Sequence, residues 1–121
     1  MKMNQNNAGL EAEKLAATFL KNNGLKLVTQ NYHCRYGEID LVMKEAKTLI
    51  FVEVRLRSNS QFGSAGASIT LQKQQKLIAA AQHYLQTQQA SGDDIACRFD
   101  AILMNKADLT SIEWVRNAFD A

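Results

Sequence analysis

Glu38 and Asp40 lie in the run GEIDLVMK, and Glu53 lies in the next, TLIFVEVRLR, with Arg55 and Arg57 following it. Only Glu45, Ala46 and Lys47 separate the two runs, so together they read as a β-hairpin. Positions 40 and 53 stand equally far from positions 46 and 47. A regular hairpin centred there sets Asp40 opposite Glu53, with Cβ atoms about 5 Å apart on one face. Facing carboxylates repel, and a partly covered pair needs positive charge beside it. That charge can come from Arg55, on the same face, or from a hard divalent cation, which favours carboxylate oxygens. A solvated strand face carrying a plain Glu53–Arg55 ion pair fits the same pattern. A one-residue slip in register would put the acids on opposite faces.

Strand alternation places Glu38, Asp40 and Val42 on one face and Ile39, Leu41 and Met43 on the other. In the second strand Leu49, Phe51, Glu53, Arg55 and Arg57 share a face, opposite Ile50, Val52, Val54 and Leu56. Each strand thus has one wholly apolar face to bury. Around this hairpin, Ala12, Leu15, Ala16, Phe19 and Leu20 recur at helical spacing, which predicts a helix over 8–22 ended by Asn22, Asn23 and Gly24. Residues 26–33 predict a strand. Residues 58–70, rich in Ser and Gly, predict a loop, and Thr70 is the expected N-cap of a helix over 71–89. After a break at 91–94, CRFDAILM and SIEWV (111–115) predict two more strands. The order is α-β-β-β-α-β-β, an α/β fold with two main helices beside one sheet. Tyr84 and Trp114 are expected in the core, and His33 and His83 as ordinary surface or strand residues.

A chain of 121 residues suits one domain, 1–121, with one core. Its hydrophobic fraction of 46% and charged fraction of 21% match a folded domain and exclude a disordered or disulfide-stapled one. Cys34 and Cys97 form no Cys-x-x-Cys pair, so they are expected as buried reduced thiols. The start, MKMNQNNAGL, lacks a signal-peptide core, and no apolar run reaches the roughly 20 residues that span a bilayer, so a cytoplasmic location without membrane association is expected. The net charge is only +2. Its distribution says more: no acid falls between Glu53 and Asp93, leaving Arg55, Arg57, Lys73 and Lys76 unopposed in sequence, a pattern that suits a phosphate backbone. A solvated, glutamine-rich helix face explains it as well.

Asp40 and the Glu53-Val54-Arg55 triplet resemble the metal site of the PD-(D/E)xK nuclease superfamily, an acid on one strand and Glu-x-Lys on the next. More narrowly, Gly9-x-x-x-Glu13-x-x-Ala16, Gly37-Glu38-Ile39-Asp40-Leu41, Phe51-Val52-Glu53-Val54-Arg55, Phe62-Gly63, Lys73 and Arg98-Phe99-Asp100 resemble the bacterial YraN family of uncharacterised proteins, over nearly the whole chain. The resemblance implies a restriction endonuclease-like mixed β-sheet, akin to Holliday junction resolvases, and a metal-dependent endonuclease acting on DNA, branched or junction DNA among its substrates. Asp40 and Glu53 would then hold Mg²⁺ or Mn²⁺, with Glu13, the matching helical acid, and Glu38 beside them. Arg55 would position the phosphate, Arg57, Lys73 and Lys76 would hold the nucleic-acid backbone, and a symmetric junction would favour a homodimer. Residue 55 departs from the pattern: Arg there is too basic to act as a general base, and Lys73 is the expected source of the missing ammonium. A non-catalytic nucleic-acid-binding or adaptor protein that retains the fold is the rival reading, and a protein-interaction domain is a third. Asp100, flanked by Arg98 and Phe99, is expected as a structural ion-pair partner or as a distant part of the site, and is left out of the catalytic set.

Overall fold

The computed structural model describes residues 7–57, 69–88, 95–105 and 108–120. Helix α1 spans Asn7–Asn22, followed by strands β1 (Lys26–Cys34), β2 (Gly37–Glu45) and β3 (Thr48–Arg57). Helix α2 (Leu71–Thr87) then leads to β4 (Cys97–Asn105) and β5 (Asp108–Phe119). The strands form one sheet in the order β1-β2-β3-β4-β5, antiparallel throughout except for the β3/β4 pair. That parallel pair needs a crossover, and the crossover contains α2. The fold is the expected mixed sheet with two helices.

Each helix covers one face of the sheet. Ala12, Ala16 and Leu20 of α1 join Leu41, Met43, Ile50, Val52, Ile102 and Met104 in one apolar cluster. Leu77, Ala80, Ala81 and Tyr84 of α2 join Val42, Phe51, Phe99 and Leu103 in the other. β2, β3 and β4 are thus apolar on both faces, as central strands must be when helices lie on either side. Alanines at the helix seams let the backbone approach the sheet closely.

The helix ends follow local chemistry. Gly24 takes φ +96°, which the chain needs to turn out of α1. The Gly24 N–H then bonds to Lys21 O and the Leu25 N–H to Leu20 O, while Leu25 is buried in the cluster that holds Leu20. At the start of α2, Thr70 accepts from Lys73 N at 3.1 Å as its N-cap.

Four expectations are corrected. β5 runs well beyond 111–115, because its remaining length pairs as an edge strand whose outer residues stay polar. Ile39 joins the α2-side cluster and not that of Leu41 and Met43, so alternation slips across Asp40. Cys97 is exposed and Cys34 half-buried, both free, since each lies at the end of an element. Trp114 is half-buried at the rim, packed edge-on against Phe19 at 6.0 Å and covered by the Arg116 guanidinium at 4.1 Å. Residues 58–68 of the expected loop lie outside the described residues.

The Asp100 carboxylate is fully buried and takes four donors: Arg98 Nε at 2.9 Å and a terminal nitrogen at 3.2 Å, Trp114 Nε1 at 3.0 Å and the Asn117 N–H at 2.9 Å. Asn117 reaches this position with φ +54°. Arg98 is also held by Glu45 at 3.3 Å, tying β2 to β4. Replacing Asp100 by Ala strands these donors, so Asp100→Ala is expected to lose about 3–5 kcal/mol of stability, measured by urea unfolding. A loss under about 1 kcal/mol would overturn this account.

Candidate functional site

β2 and β3 pair regularly from Glu45↔Thr48 to Leu41↔Val52, the register that centring on 46 and 47 demands. Asp40 and Glu53 fall one step beyond the last pair, where the ladder stops. There the Val54 N–H donates not to a backbone carbonyl but to Asp40 Oδ2, at 2.8 Å. A side-chain carboxylate thus sits between the strands, and the slip that moves Ile39 to the other face occurs at this residue. On the other side of β2, the flanking pairs Gln30↔Leu41 and Tyr32↔Ile39 leave Asn31 opposite Asp40. Asn31 has φ +54°, a conformation asparagine tolerates better than most residues.

Three of the expected acids meet here, one from each element. Glu13 comes from α1, half-buried, close enough to Asn31 and Asp40 for both to shift its pKa. Asp40 also acts electrostatically on Glu53, which is only 6% exposed. Burial and the Asp40 charge push Glu13 up to about 7, although the Asn31 hydrogen bond opposes them. Burial, then Asp40, pushes Glu53 up to about 7 against the opposing charges of Lys73 and Arg55. Asp40 is also raised, by burial, with the Val54 N–H the strongest opposing influence. Asp40 is thus the common neighbour of Glu13 and Glu53, its charge raising the pKa of each.

Two cations face these acids from the α2 side. Lys73 Nζ lies 3.5 Å and an Arg55 terminal nitrogen 3.7 Å from Glu53 Oε2. Lys73 is in the first turn of α2, which has no acid of its own, so the helix dipole disfavours its charge there. Glu53 offsets that cost, and the Thr70 cap fixes the turn that brings the two together.

The remaining site residues are placed apart. Glu38 is more than half exposed and paired with His33 at 3.5 Å, though its charge still reaches Glu13 and Asp40. Arg57 is paired with Glu113 of β5 at 3.4 Å. Lys76 is exposed, one turn beyond Lys73, with its backbone against Gly37. Sequence reasoning missed Asn31 and the Val54 N–H, because neither a left-handed residue inside a strand nor a missing ladder bond leaves a compositional signal. A concavity of about 320 Å³ bordered by Lys44, Lys47, Leu49 and Tyr84 contains none of these residues.

Among the described residues, no three Asp, Glu, His or Cys side chains converge as a ready-made metal-binding group. The donor chemistry nonetheless suits a hard divalent cation: clustered carboxylate oxygens with raised pKa values. Glu13, Asp40 and Glu53 would hold it, with Glu38 as an outlying acid.

A mixed sheet, a helix on each face and an acid cluster where the central hairpin opens define this protein's class. Residues 12–104 match the model of the uncharacterised protein family UPF0102. The chain is 52% identical over 112 residues to a UPF0102 protein of Nitrosospira multiformis, covering 93% of this chain and 92% of that one. It is likewise 52% identical over 114 residues to a UPF0102 protein of Nitrosomonas europaea (94% of each), and 52% over 113 residues to one of Legionella pneumophila (93% and 94%). The chain belongs to the UPF0102 family, the YraN family that its motifs resemble.

The raised Glu53 pKa makes stability depend on pH. Folding binds a proton more tightly than the unfolded chain does, so this contribution is fully present below the ordinary value of 4.5 and is lost as pH rises through about 7. Without added metal, Glu53→Gln is expected to be more stable than wild type at pH 8, by roughly 2 kcal/mol, with the gap closing below about pH 5. Thermal unfolding at both pH values tests this. A variant less stable at pH 8 would mean that the pairs with Lys73 and Arg55 outweigh burial and repulsion.

Proposed function

We propose that this protein is a metal-dependent endonuclease acting on DNA, with branched or junction DNA among its substrates. The observation that carries this reading is the Lys73 ammonium, 3.5 Å from the acid that follows Asp40 across the open hairpin. It supplies, from a helix, the positive group that Arg55 cannot fully replace on the strand. Mg²⁺ or Mn²⁺ held by the carboxylates would supply Lewis-acid polarisation of a phosphoryl oxygen and activation of water.

The chain's own residues perform the rest. Arg55, half-buried beside Glu53, offers a planar fork of donors to a phosphate oxygen. Lys73 neutralises charge that develops on the phosphate, and moves from Glu53 to the phosphate when a cation takes the carboxylate. Glu13 and Glu53, with pKa values of about 7, give up protons when a cation binds. Lys76 lies on the same edge of α2 and would hold the adjoining backbone, with Arg57 further along β3. A symmetric junction would engage two copies.

The alternative is a nucleic-acid-binding or adaptor protein without catalysis. It is favoured by Arg55 at the position where the nuclease pattern has Lys, and by the two cations that already neutralise Glu53.

Cleavage of a labelled panel of linear, flapped and four-way-junction DNA with Mg²⁺ or Mn²⁺ separates the two. The nuclease reading expects metal-dependent cleavage that falls at least about 100-fold in Asp40→Asn, Glu53→Gln and Lys73→Ala. Binding that survives EDTA and Asp40→Asn, with no cleavage by wild type, would establish the adaptor. Unchanged activity in Lys73→Ala would remove lysine from the mechanism.

A further inference from the structure

The tip of the β1–β2 hairpin presents an aromatic ring that packing alone does not require. Tyr36 is 42% exposed, and the adjacent Arg35 is exposed as well. The Arg35 guanidinium lies 5.1 Å from the Tyr36 ring centroid and donates to the Tyr36 hydroxyl at 3.0 Å. The ring is braced from behind: His83 of α2 sits 5.9 Å away, and the Tyr32 hydroxyl is hydrogen-bonded to His83 Nδ1. Tyr32 packs edge-on against buried Tyr84 at 5.2 Å, and Tyr84 against Phe51 at 6.0 Å. A chain of rings thus runs from the solvent-facing tip into the core, so Tyr36 is held in place while it stays exposed.

Position follows from Gly37. Its φ of +151° is one that side-chain-bearing residues rarely adopt, and a Cβ built there would lie 3.6 Å from the Lys76 backbone and Cβ. The turn therefore lies directly on α2 at Lys76, one helical turn from Lys73, which pairs with Glu53. One turn is about 5 Å along the axis, less than the spacing between successive phosphates of an extended strand. The turn is consequently one helical turn from Lys73, while the Tyr36 ring, packed against His83, lies further along α2, ten residues or about 15 Å from Lys73.

We infer that Tyr36, braced by His83 and flanked by Arg35, is a stacking platform for an unpaired base further along the strand from the phosphate at Arg55 and Lys73. This rests on the nucleic-acid reading above and deepens it by assigning the recognised feature: an unstacked nucleotide, as found at a flap, a gap or a junction. Every base has a π-face, so such a platform selects open strand geometry and not sequence. A guanidinium against the ring adds a cation for the neighbouring phosphate. In a fully paired duplex the bases are stacked on one another, and the platform has nothing to engage.

The test is binding of the full chain, in EDTA and low salt, to three DNAs of equal length: a single strand and a flap, each with 2-aminopurine at the unpaired position, and a blunt duplex. Wild type is expected to change 2-aminopurine fluorescence on binding the first two. Tyr36→Ala should weaken both at least about tenfold and change duplex affinity less than about twofold, whereas Tyr36→Phe should bind as wild type does. Unfolding curves that coincide for all three proteins exclude a folding defect, and if Tyr36→Ala is destabilised, Tyr36→Leu replaces it with the same expectation. Wild-type affinity in the alanine or leucine variant, or equal losses on single strand and duplex, would overturn the platform and leave the nucleic-acid reading standing. No binding of any DNA by wild type would overturn both.

Discussion

The hydrogen bond from the Val54 N–H to Asp40 is the constraint from which the geometry of the site follows. In a continuing ladder that N–H would meet a backbone carbonyl of β2. A carboxylate oxygen in its place satisfies a buried donor and holds the two strands apart at that level. Opening the hairpin lets Ile39 turn to the α2 side while Leu41 and Met43 remain on the α1 side. It also leaves Asp40 within reach of both faces, Glu13 approaching from α1 and Glu53 facing α2. A regular strand could not do this, since each of its side chains is committed to one face.

Charge balance around that opening is deliberately incomplete. Asp40 stands as the common neighbour of Glu13 and Glu53, and Lys73 and Arg55 both approach the same oxygen of Glu53. At the Glu13 end no ion pair forms among the described residues, and the nearby Asn31 side chain opposes the rise in its pKa. Protons make up the deficit, which is why Glu13 and Glu53 both titrate near 7 and not near the usual carboxylate value. Lys73 is likewise poorly placed for its own helix, at the positive end of the dipole. Acids and lysine therefore hold each other in positions that neither would favour alone, as expected where local stability is given up for chemistry.

Much of this was legible in the sequence. The hairpin register could be read from the symmetry of positions 40 and 53 about 46–47, because a two-residue turn leaves little freedom. The Thr70 cap and the Gly24 stop were readable because capping depends on side-chain type at fixed offsets. Lys73 could be suspected from its position at the edge of the apolar face of α2, though its contact with Glu53 depends on how the helix packs. The slip at Asp40 was hidden: alternation of residue types continues through GEIDLVMK, and only tertiary pairing decides that Ile39 changes side. β5 was read too short because an edge strand with one polar face, DLTSIEWVRNAF, shows only its most apolar stretch clearly.

Asp40 and Asp100 show why a buried acid in a strand is not by itself a sign of a site. Asp100 receives four donors, from Arg98, Trp114 and Asn117, and both of its oxygens are engaged. Its charge is matched by a guanidinium that lies against it. Nothing further is needed, so it acts as a clamp between β4 and β5. Asp40 receives one backbone N–H and otherwise faces other acids, with a cation only at longer range. Two residues of the same type, in strands of one sheet separated only by β3, therefore differ in whether their surroundings complete them. The incomplete one lies where the sheet opens, and there an added cation would bring the missing positive charge.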